Sequence, residues 1–276
     1  MARAGWRGRI PAPVRRSARG LRRRVVGMRR RIWPDRRPPC VVGIPMMNLH
    51  QRTARVIADL DAEAFDELII FDHASDDPAT LEWLREIERD PKITVDRRRI
   101  IPEESLYRAW NDTIRRALDR FDLPEVDVVL LNNDVRLPRG FLRFLTRALR
   151  AGGPEVVIAY PDATAPRKSG LPREIRLTRT KGLYADGGLT GWAFALRAEA
   201  FRDAIPFIDE RLKFYSGDRD LVHAIETRGY VAARVEGLAC EHGLGVTRKR
   251  RPDLVDQQKR DIALWWGEHP EAGAGR

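Results

Sequence analysis

The sequence predicts an α/β fold with a mostly parallel, Rossmann-like sheet flanked by helices. Two observations lead to this prediction. Short apolar runs rich in Val, Ile and Leu alternate with longer segments of helical period, and the connections between them are short. The runs are also apolar almost without interruption, as strands buried on both faces of a parallel sheet are. Right-handed crossovers are then expected to join successive strands.

The elements follow one another from residue 40 onward. Residues 40–44 form an apolar strand that Pro45 is expected to close, and Asp77 followed by Pro78 is a typical helix start. Residues 161–184 show no regular period and are expected to form a long irregular loop. The predicted strands are 40–44, 68–71, 93–95, 126–131, 156–159, 191–196 and 230–235, and the predicted helices are 52–65, 79–88, 105–120, 138–150, 218–228 and 253–266.

The charge is concentrated at the N-terminus. Residues 1–38 contain 14 Arg and one Asp, a net charge of +13, so the remaining residues carry −2 of the total of +11. We expect residues 1–38 to be a disordered Arg- and Pro-rich tail and residues 39–276 to form one domain that ends in a helix. The tail either contacts anionic lipid headgroups or nucleic acid, or is simply solvated. Because the folded part is close to neutral, no specific nucleic-acid partner is expected.

The sequence contains neither the apolar core of a secretory signal nor an apolar stretch long enough to span a bilayer. It therefore predicts a cytoplasmic protein that is soluble or bound peripherally to a membrane through residues 1–38.

The clearest candidate site follows the strand predicted at residues 126–131. That apolar run ends abruptly in Asn132, Asn133 and Asp134, where open α/β sheets bind their ligands. Oxygens of an Asn-x-Asp pair project to the same side of an extended backbone and can hold a divalent cation. Asn and Asp also favour turns, so both interpretations stay open at this point.

Three further polar clusters lie at strand ends or helix starts. They occupy residues 72–77, residues 217–220 and residues 241–242. Each also has a simple structural interpretation, because Asp77 is suited to cap a helix, Asp218 complements a helix dipole and His242 by default is a structural histidine.

In their order and spacing these clusters resemble the family 2-type glycosyltransferases, inverting enzymes with the GT-A fold that use nucleotide-diphosphate sugars. The resemblance extends over about residues 41–247. The matching segments are 42–48 (VGIPMMN), 68–77 (LIIFDHASDD), 105–111 (SLYRAWN), 132–134 (NND), 214–221 (FYSGDRDL) and His242 with Thr247. The resemblance implies a GT-A fold and transfer of a sugar to a hydroxyl acceptor, which is a glycan, a lipid-linked molecule or a protein.

The resemblance also implies a role for each matching residue. Asp134 would bind Mg²⁺ or Mn²⁺, with Asn132 and His242 as further ligands, and Asp218 would be the general base. Asp72 would bind the base or ribose of the nucleotide. The residues implied in binding the donor are Pro45, Asn48, Asp72, Ser75, Asn111 and Asn133.

The sequence departs from the family pattern at two positions. Asn132 stands where many relatives have Asp, which gives a less charged metal site, and Gly217 stands where an acidic residue usually precedes the base. Residues 187–192 (GGLTGW) resemble the family's acceptor-side loop, in which Trp192 is equally suited to stack on a sugar ring and to lie in the core. The alternative function is a non-catalytic GT-A-like binding protein that the basic tail anchors to a membrane or to nucleic acid. A nucleotidyltransferase is disfavoured, because residues 46–50 supply no glycine-rich loop.

Overall fold

Helices cover both faces of the predicted sheet in the computed structural model, which describes residues 37–60, 64–163, 171–180, 189, 191–243 and 251–270. The strands are β1 (Cys40–Met46), β2 (Glu67–His73), β3 (Ile93–Arg98), β4 (Asp127–Leu131), β5 (Val135–Arg136), β6 (Val156–Pro161), β7 (Leu177–Thr180), β8 (Ala193–Arg197), β9 (Val231–Val235) and β10 (Glu241–His242). The α-helices are α1 (His50–Asp59), α2 (Pro78–Ile87), α3 (Leu106–Arg120), α4 (Phe141–Ala151), α5 (Gly217–Glu226) and α6 (Asp253–Glu268).

Eight of the described strands form one sheet in the order β3-β2-β1-β4-β8-β6-β9-β7. Strands β3, β2, β1 and β4 pair in parallel, as do β6 and β9. Only β8 and β7 run in the opposite direction. The predicted mostly parallel sheet is therefore confirmed, and its parallel strands end together at one edge.

Two element boundaries differ from the sequence prediction. Strand β1 does not close at Pro45 but continues to Met46, and Pro45 pairs with Phe71 of β2. Proline is tolerated here because β4 pairs with β1 only as far as Gly43, so no bond on that side needs the missing N–H. Helix α1 ends at Asp59, not at residue 65, because Leu60 has an extended backbone with ψ 137°.

The prediction of an irregular loop over residues 161–184 was wrong in part. Strand β7 lies within it and pairs antiparallel with β9. The hydroxyl of Tyr160 donates to Thr180 Oγ1 at 3.1 Å, which joins β6 to β7 across β9. Four residues with mixed polarity at a sheet edge carry too weak a pattern to be recognised in the sequence.

The strands divide the core into two apolar layers. Alternate side chains of each strand point to opposite faces, so Val42 and Ile44 pack with α1, α2 and α4, whereas Val41 packs with α3 and α5. Helix α6 joins the second layer through Trp265, which is 1% exposed, so the C-terminal helix packs against the core. Among the described helices, none has the length and apolarity needed to cross a membrane.

Several sequence predictions lie outside the described residues. They are the basic tail up to residue 36, the loop residues 187, 188 and 190 beside Trp192, and Thr247. The domain boundaries and the tail therefore stay predictions.

Candidate active site

The strand ends open into a cavity of about 460 Å³. Strands β1, β2 and β4 contribute their carboxyl ends, and the segments that lead into β8 and α5 complete the wall. The wall residues are Pro45, Met46, Met47, His73, Ile101, Leu106, Tyr107, Trp110, Asn132, Asn133, Asp134, Gly191, Trp192, Phe214, Tyr215, Ser216, Asp218, His242, Arg251 and Leu254. Six of the predicted site residues thus share one cavity: Pro45, Asn132, Asn133, Asp134, Asp218 and His242.

A short ribbon brings His242 to Asp134. Strand β10 pairs antiparallel with β5, which places His242 opposite Val135, next to Asp134 in the chain. As a result His242 Nε2 lies 3.2 Å from Asp134 Oδ1 and 3.5 Å from the side-chain nitrogen of Asn132. The ribbon was not predicted, because a two-residue strand has no period that can be read from a sequence.

Trp192 forms one wall of the site made by Asn132, Asp134 and His242, which we call the cation corner. Its ring is stacked on the imidazole of His242, with 5.3 Å between the centroids and 8° between the planes. Its carbonyl accepts a hydrogen bond from the Asn132 backbone N–H at 2.8 Å. The structure therefore places Trp192 in the cavity wall and joins the start of β8 to the end of β4.

The donor groups at this corner fit a divalent cation that also binds substrate phosphates. Asp134 supplies a carboxylate, His242 an imidazole nitrogen and Asn132 an amide. Among the described residues no cluster of three or more His, Cys, Asp or Glu is placed to hold a metal. Mg²⁺ and Mn²⁺ commonly bind through one or two carboxylates with substrate phosphates and water as the other ligands, so the residues present suit such an ion.

Asp218 also lines the cavity, at the start of α5. Its Oδ1 accepts a hydrogen bond from the Arg219 N–H at 2.9 Å, and the Gly191 N–H also bonds to its carboxylate. The side chain remains partly exposed to the cavity, yet burial raises its pKa above the ordinary value for Asp. A carboxylate with a raised pKa in a cavity is suited to take up a proton.

Tyr107 explains the glycine that precedes Asp218. A Cβ at Gly217 would lie 2.1 to 2.4 Å from three ring carbons of Tyr107, far inside van der Waals contact. The Tyr107 ring is 4% exposed, and burial raises the pKa of its hydroxyl well above the usual value. Tyr107 therefore fills the space in which a side chain at position 217 would begin.

Four of the residues that the resemblance assigns to the donor lie away from the cavity. Asn48 bridges two loops, because its Oδ1 accepts from the backbone N–H groups of Asp76 and Asp77 at 3.1 and 3.0 Å. Its own N–H donates to Ser75 Oγ at 2.7 Å. Asn111 is fully buried, and its Nδ2 donates to the Ile208 carbonyl at 3.0 Å. The geometry gives Asn48, Ser75 and Asn111 structural bonds, and their donor-binding roles stay predictions.

Asp72 is the fourth residue of this group. It is 2% exposed, and Arg97 Nη1 donates to its Oδ2 at 2.7 Å. Its other oxygen accepts from the Ser75 N–H at 3.2 Å. Asp72 is therefore already paired at the end of β2, and its role in binding the nucleotide also stays a prediction.

Asn133 does face the cavity. Its Nδ2 lies 3.5 Å from Thr53 Oγ1 of α1, so the amide is loosely held between β4 and that helix.

Two cavity residues were missed by the sequence analysis. His73 is 1% exposed, its Nδ1 is 3.2 Å from the Arg99 carbonyl, and its Nε2 has no hydrogen-bond partner among the described residues. Burial lowers its pKa. Arg251 donates to the Ile101 carbonyl at 2.8 Å and contacts Met47 Sδ at 3.3 Å. A histidine at the end of an apolar strand was the only signal for the first, and Arg251 is hidden in the basic run 248–251.

Comparison with protein-family models gives no match, and comparison with curated proteins by sequence also gives none. Solved structures do match. Glucosyl-3-phosphoglycerate synthase from Mycobacterium tuberculosis, in complex with Mn²⁺, UDP and phosphoglyceric acid, has a TM-score of 0.54 and 16% identity, and the match covers 86% of this chain and 79% of that one.

Two further matches are GalNAc-T7 with UDP, GalNAc and Mn²⁺, and the mannosyltransferase PcManGT from Pyrobaculum calidifontis with GDP-Man and Mn²⁺. Their TM-scores are 0.55 and 0.53, their identities 15% and 17%, and the matches cover 75% and 79% of this chain. This chain spans only 44% and 61% of those two proteins. At these identities the likeness establishes the fold: residues 39–270 contain the GT-A fold of nucleotide-sugar glycosyltransferases.

Proposed function

We propose that this protein is a metal-dependent, inverting glycosyltransferase of the hexosyltransferase type. It moves one sugar from a nucleoside diphosphate to the hydroxyl of an acceptor. One observation carries the proposal: in a GT-A fold, a single cavity at the strand ends is lined by the Asp134–His242 pair and by the partly buried Asp218. The solved structures with this fold contain Mn²⁺ with UDP or GDP-Man, which supports the same donor chemistry here.

The diphosphate end of the donor lies at Asp134 in this proposal. Asp134, His242 and Asn132 would hold Mg²⁺ or Mn²⁺, and Pro45 and Asn133 form the adjoining wall. When bound there, the ion would supply positive charge that stabilises the leaving diphosphate. Asn48, Asp72, Ser75 and Asn111 shape the donor side, in part by fixing the loops around it.

Asp218 acts on the acceptor. It removes the proton from the acceptor hydroxyl while the hydroxyl oxygen forms a bond to the anomeric carbon and the bond from that carbon to the diphosphate oxygen breaks. The proton stays on Asp218, and the nucleoside diphosphate leaves. Because attack and departure are in line, the anomeric configuration inverts. The raised pKa of Asp218 makes its carboxylate a better proton acceptor than an ordinary Asp.

The basic residues 1–38 are proposed to hold the enzyme at an anionic membrane surface in the cytoplasm. Their charge of +13 is the observation that supports this role. Vesicles with 30% anionic lipid should bind the full chain and lose binding when residues 1–38 are deleted. Equal binding of both proteins would contradict this part of the proposal.

The alternative of a non-catalytic binding protein is not favoured. A partly buried carboxylate at position 218 that shares one cavity with Asp134 and His242 favours catalysis over binding alone. The sequence of residues 161–184 gives no pattern from which the sugar or the acceptor can be named.

Transfer from labelled UDP- and GDP-sugars, with Mn²⁺ and a panel of glycan, lipid and peptide hydroxyl acceptors, tests the function. Hydrolysis of the donor is a second readout. We expect Asp134→Ala to abolish both activities and Asp218→Asn to lower transfer by about 10²- to 10⁴-fold, the usual contribution of a general base. Asp256→Asn, on an exposed part of α6, is the matched control and should keep full activity.

The anomeric configuration of the product, read by NMR, tests inversion separately. An α-linked donor should give a β-linked product. Retention of the anomeric configuration would overturn the inverting mechanism but not the proposed glycosyltransferase function. Absence of turnover with every donor and acceptor, or full activity in Asp134→Ala, would overturn the function itself.

A further inference from the structure

Asp261 is a buried carboxylate outside the cavity that the proposed reaction does not use. It lies on α6 and is 1% exposed. Among the described residues no basic side chain forms an ion pair with it. A carboxylate is costly to bury unless hydrogen bonds replace its hydration, so the bonds that it accepts indicate what it does.

Three of those bonds come from consecutive backbone N–H groups. Asp261 Oδ1 accepts from Lys213 at 3.1 Å, and Oδ2 accepts from Phe214 at 2.7 Å and from Tyr215 at 2.8 Å. Gln257, one helical turn earlier, donates a fourth bond to Oδ1 at 2.7 Å. Successive N–H groups that converge on one anion form a rigid concave turn, and bonds to a charged acceptor are stronger than neutral ones.

The turn is also held from its other side. The Leu106 N–H, at the start of α3, donates to the Lys213 carbonyl at 2.9 Å, and Ser105 Oγ donates to the Leu212 carbonyl. Residues 212–215 are thus fixed between α3 and α6.

The turn leads directly into the cavity wall. Phe214, Tyr215 and Ser216 line the cavity, and Ser216 has a φ of 70°, a left-handed conformation that is unfavourable for a residue with a side chain. Asp218 follows two residues later, at the first turn of α5. A strained residue persists only where its surroundings fix it, and the three bonds to Asp261 act immediately before it.

We propose that Asp261 is a positioning residue: by holding the N–H groups of residues 213–215 it fixes the left-handed turn at Ser216 and so aims Asp218 into the cavity. Helix α6 is then part of the catalytic assembly and not only a cover for the core. The consequence for turnover rests on the proposed function, but the consequence for the position of Asp218 does not. A misplacement of about 1 Å at a reacting group can cost about 100-fold in rate.

Asp261→Asn tests the proposal, because an amide keeps the size of the side chain but replaces one acceptor oxygen with a donor that repels the backbone N–H groups. Asp256→Asn on the same helix is the matched control, since Asp256 is exposed and forms its ion pair with Lys259. The first measurement is the pKa of Asp218, from the ¹³Cγ shift in each full-length variant. We expect it to stay raised in the wild type and in Asp256→Asn and to fall toward the ordinary Asp value in Asp261→Asn.

The second measurement is kinetic. In Asp261→Asn we expect kcat to fall at least tenfold, while the Kd for UDP or GDP with Mn²⁺ stays within twofold, because the cation corner is built from β4, β5 and β10. A second pair of variants distinguishes loss of positioning from partial unfolding. Ser216→Gly removes the strain at φ 70°. The factor by which Asp261→Asn lowers kcat should therefore be smaller in the Ser216→Gly background than in the wild type.

The outcomes separate the two proposals. An unchanged Asp218 pKa in folded Asp261→Asn, or a loss of nucleotide affinity equal to the loss of kcat, would overturn the positioning role. Absence of any turnover in the wild type, with the expected change in the Asp218 pKa, would support the positioning role and overturn only the proposed function.

Discussion

Substitution of Gly217 by alanine tests the packing beside Asp218 most directly. The backbone of Gly217 has no positive φ, so space and not conformation excludes a side chain there. The added Cβ would lie 2.1 to 2.4 Å from three carbons of the Tyr107 ring, more than 1 Å closer than carbon atoms pack. The ring has little room to retreat, because Trp110 packs against its edge with 5.1 Å between the centroids.

Overpacking a buried site typically costs 1–3 kcal/mol, and the size of this overlap leads us to expect about 3 kcal/mol of lost unfolding free energy. Urea denaturation followed by tryptophan fluorescence measures it. Gly267→Ala is the matched control, since Gly267 lies in helix α6 and a Cβ there meets nothing within 4 Å. That variant should gain up to about 1 kcal/mol from the higher helix propensity of alanine.

A double-mutant cycle then assigns the cost to one contact. In a Tyr107→Ala background the obstacle is gone, so Gly217→Ala should change the unfolding free energy by less than about 0.5 kcal/mol. The reasoning would be refuted if Gly217→Ala costs as much in that background as in the wild type, or if it is as harmless as Gly267→Ala.

Three further predictions concern stability and ligand binding. Burial raises the pKa of Asp218 in the folded state above its unfolded value, so the protonated carboxyl stabilises the fold at low pH and this stability is lost as the pH rises through the raised pKa. In urea denaturation the unfolding free energy of Asp218→Asn should therefore increase relative to that of the wild type over this pH range. A difference that does not change with pH would contradict this prediction. Removal of Mn²⁺ with EDTA should abolish the rise in Tm that UDP or GDP causes, and Mn²⁺ should not raise the Tm of Asp134→Ala. A rise in Tm with nucleotide that depends neither on metal nor on Asp134 would disprove the cation site. Arg150→Met removes the Nε donor that lies 2.8 Å from the buried Asp127 carboxylate and should lower the unfolding free energy by about 3–5 kcal/mol. Adding Asp127→Asn to Arg150→Met should restore part of this loss. If the double variant is less stable than Arg150→Met alone, this explanation is excluded.

Most of the fold was predictable because its signals are local. Apolar runs gave β1, β2 and β4, and the Asp77-Pro78 pair gave the start of α2, where the Asp77 side chain accepts from the Thr80 N–H as expected for an N-cap. The short strands β5, β7 and β10 were not predicted, since their stability comes from pairing with distant residues and not from their own sequence.

The site was predictable in its members but not in its arrangement. Asp134, His242 and Asp218 were chosen by residue type and order along the chain, and the structure brings all three to one cavity. Asp72 and Asn111 matched the family pattern equally well, yet the structure gives them buried structural bonds. A sequence pattern shows which residue types are present but not which partner satisfies each polar group.

By itself the sequence determined that a parallel α/β sheet places polar residues at the ends of its strands, because the period of the apolar residues decides which faces are buried. Only the tertiary structure decided which polar groups are left to bind a ligand. The ribbon that brings His242 to Asp134, the Tyr107 ring that requires Gly217, and the Asp261 carboxylate that holds residues 213–215 all join segments far apart in the chain. Such contacts depend on three-dimensional proximity, and no local property of the sequence encodes it.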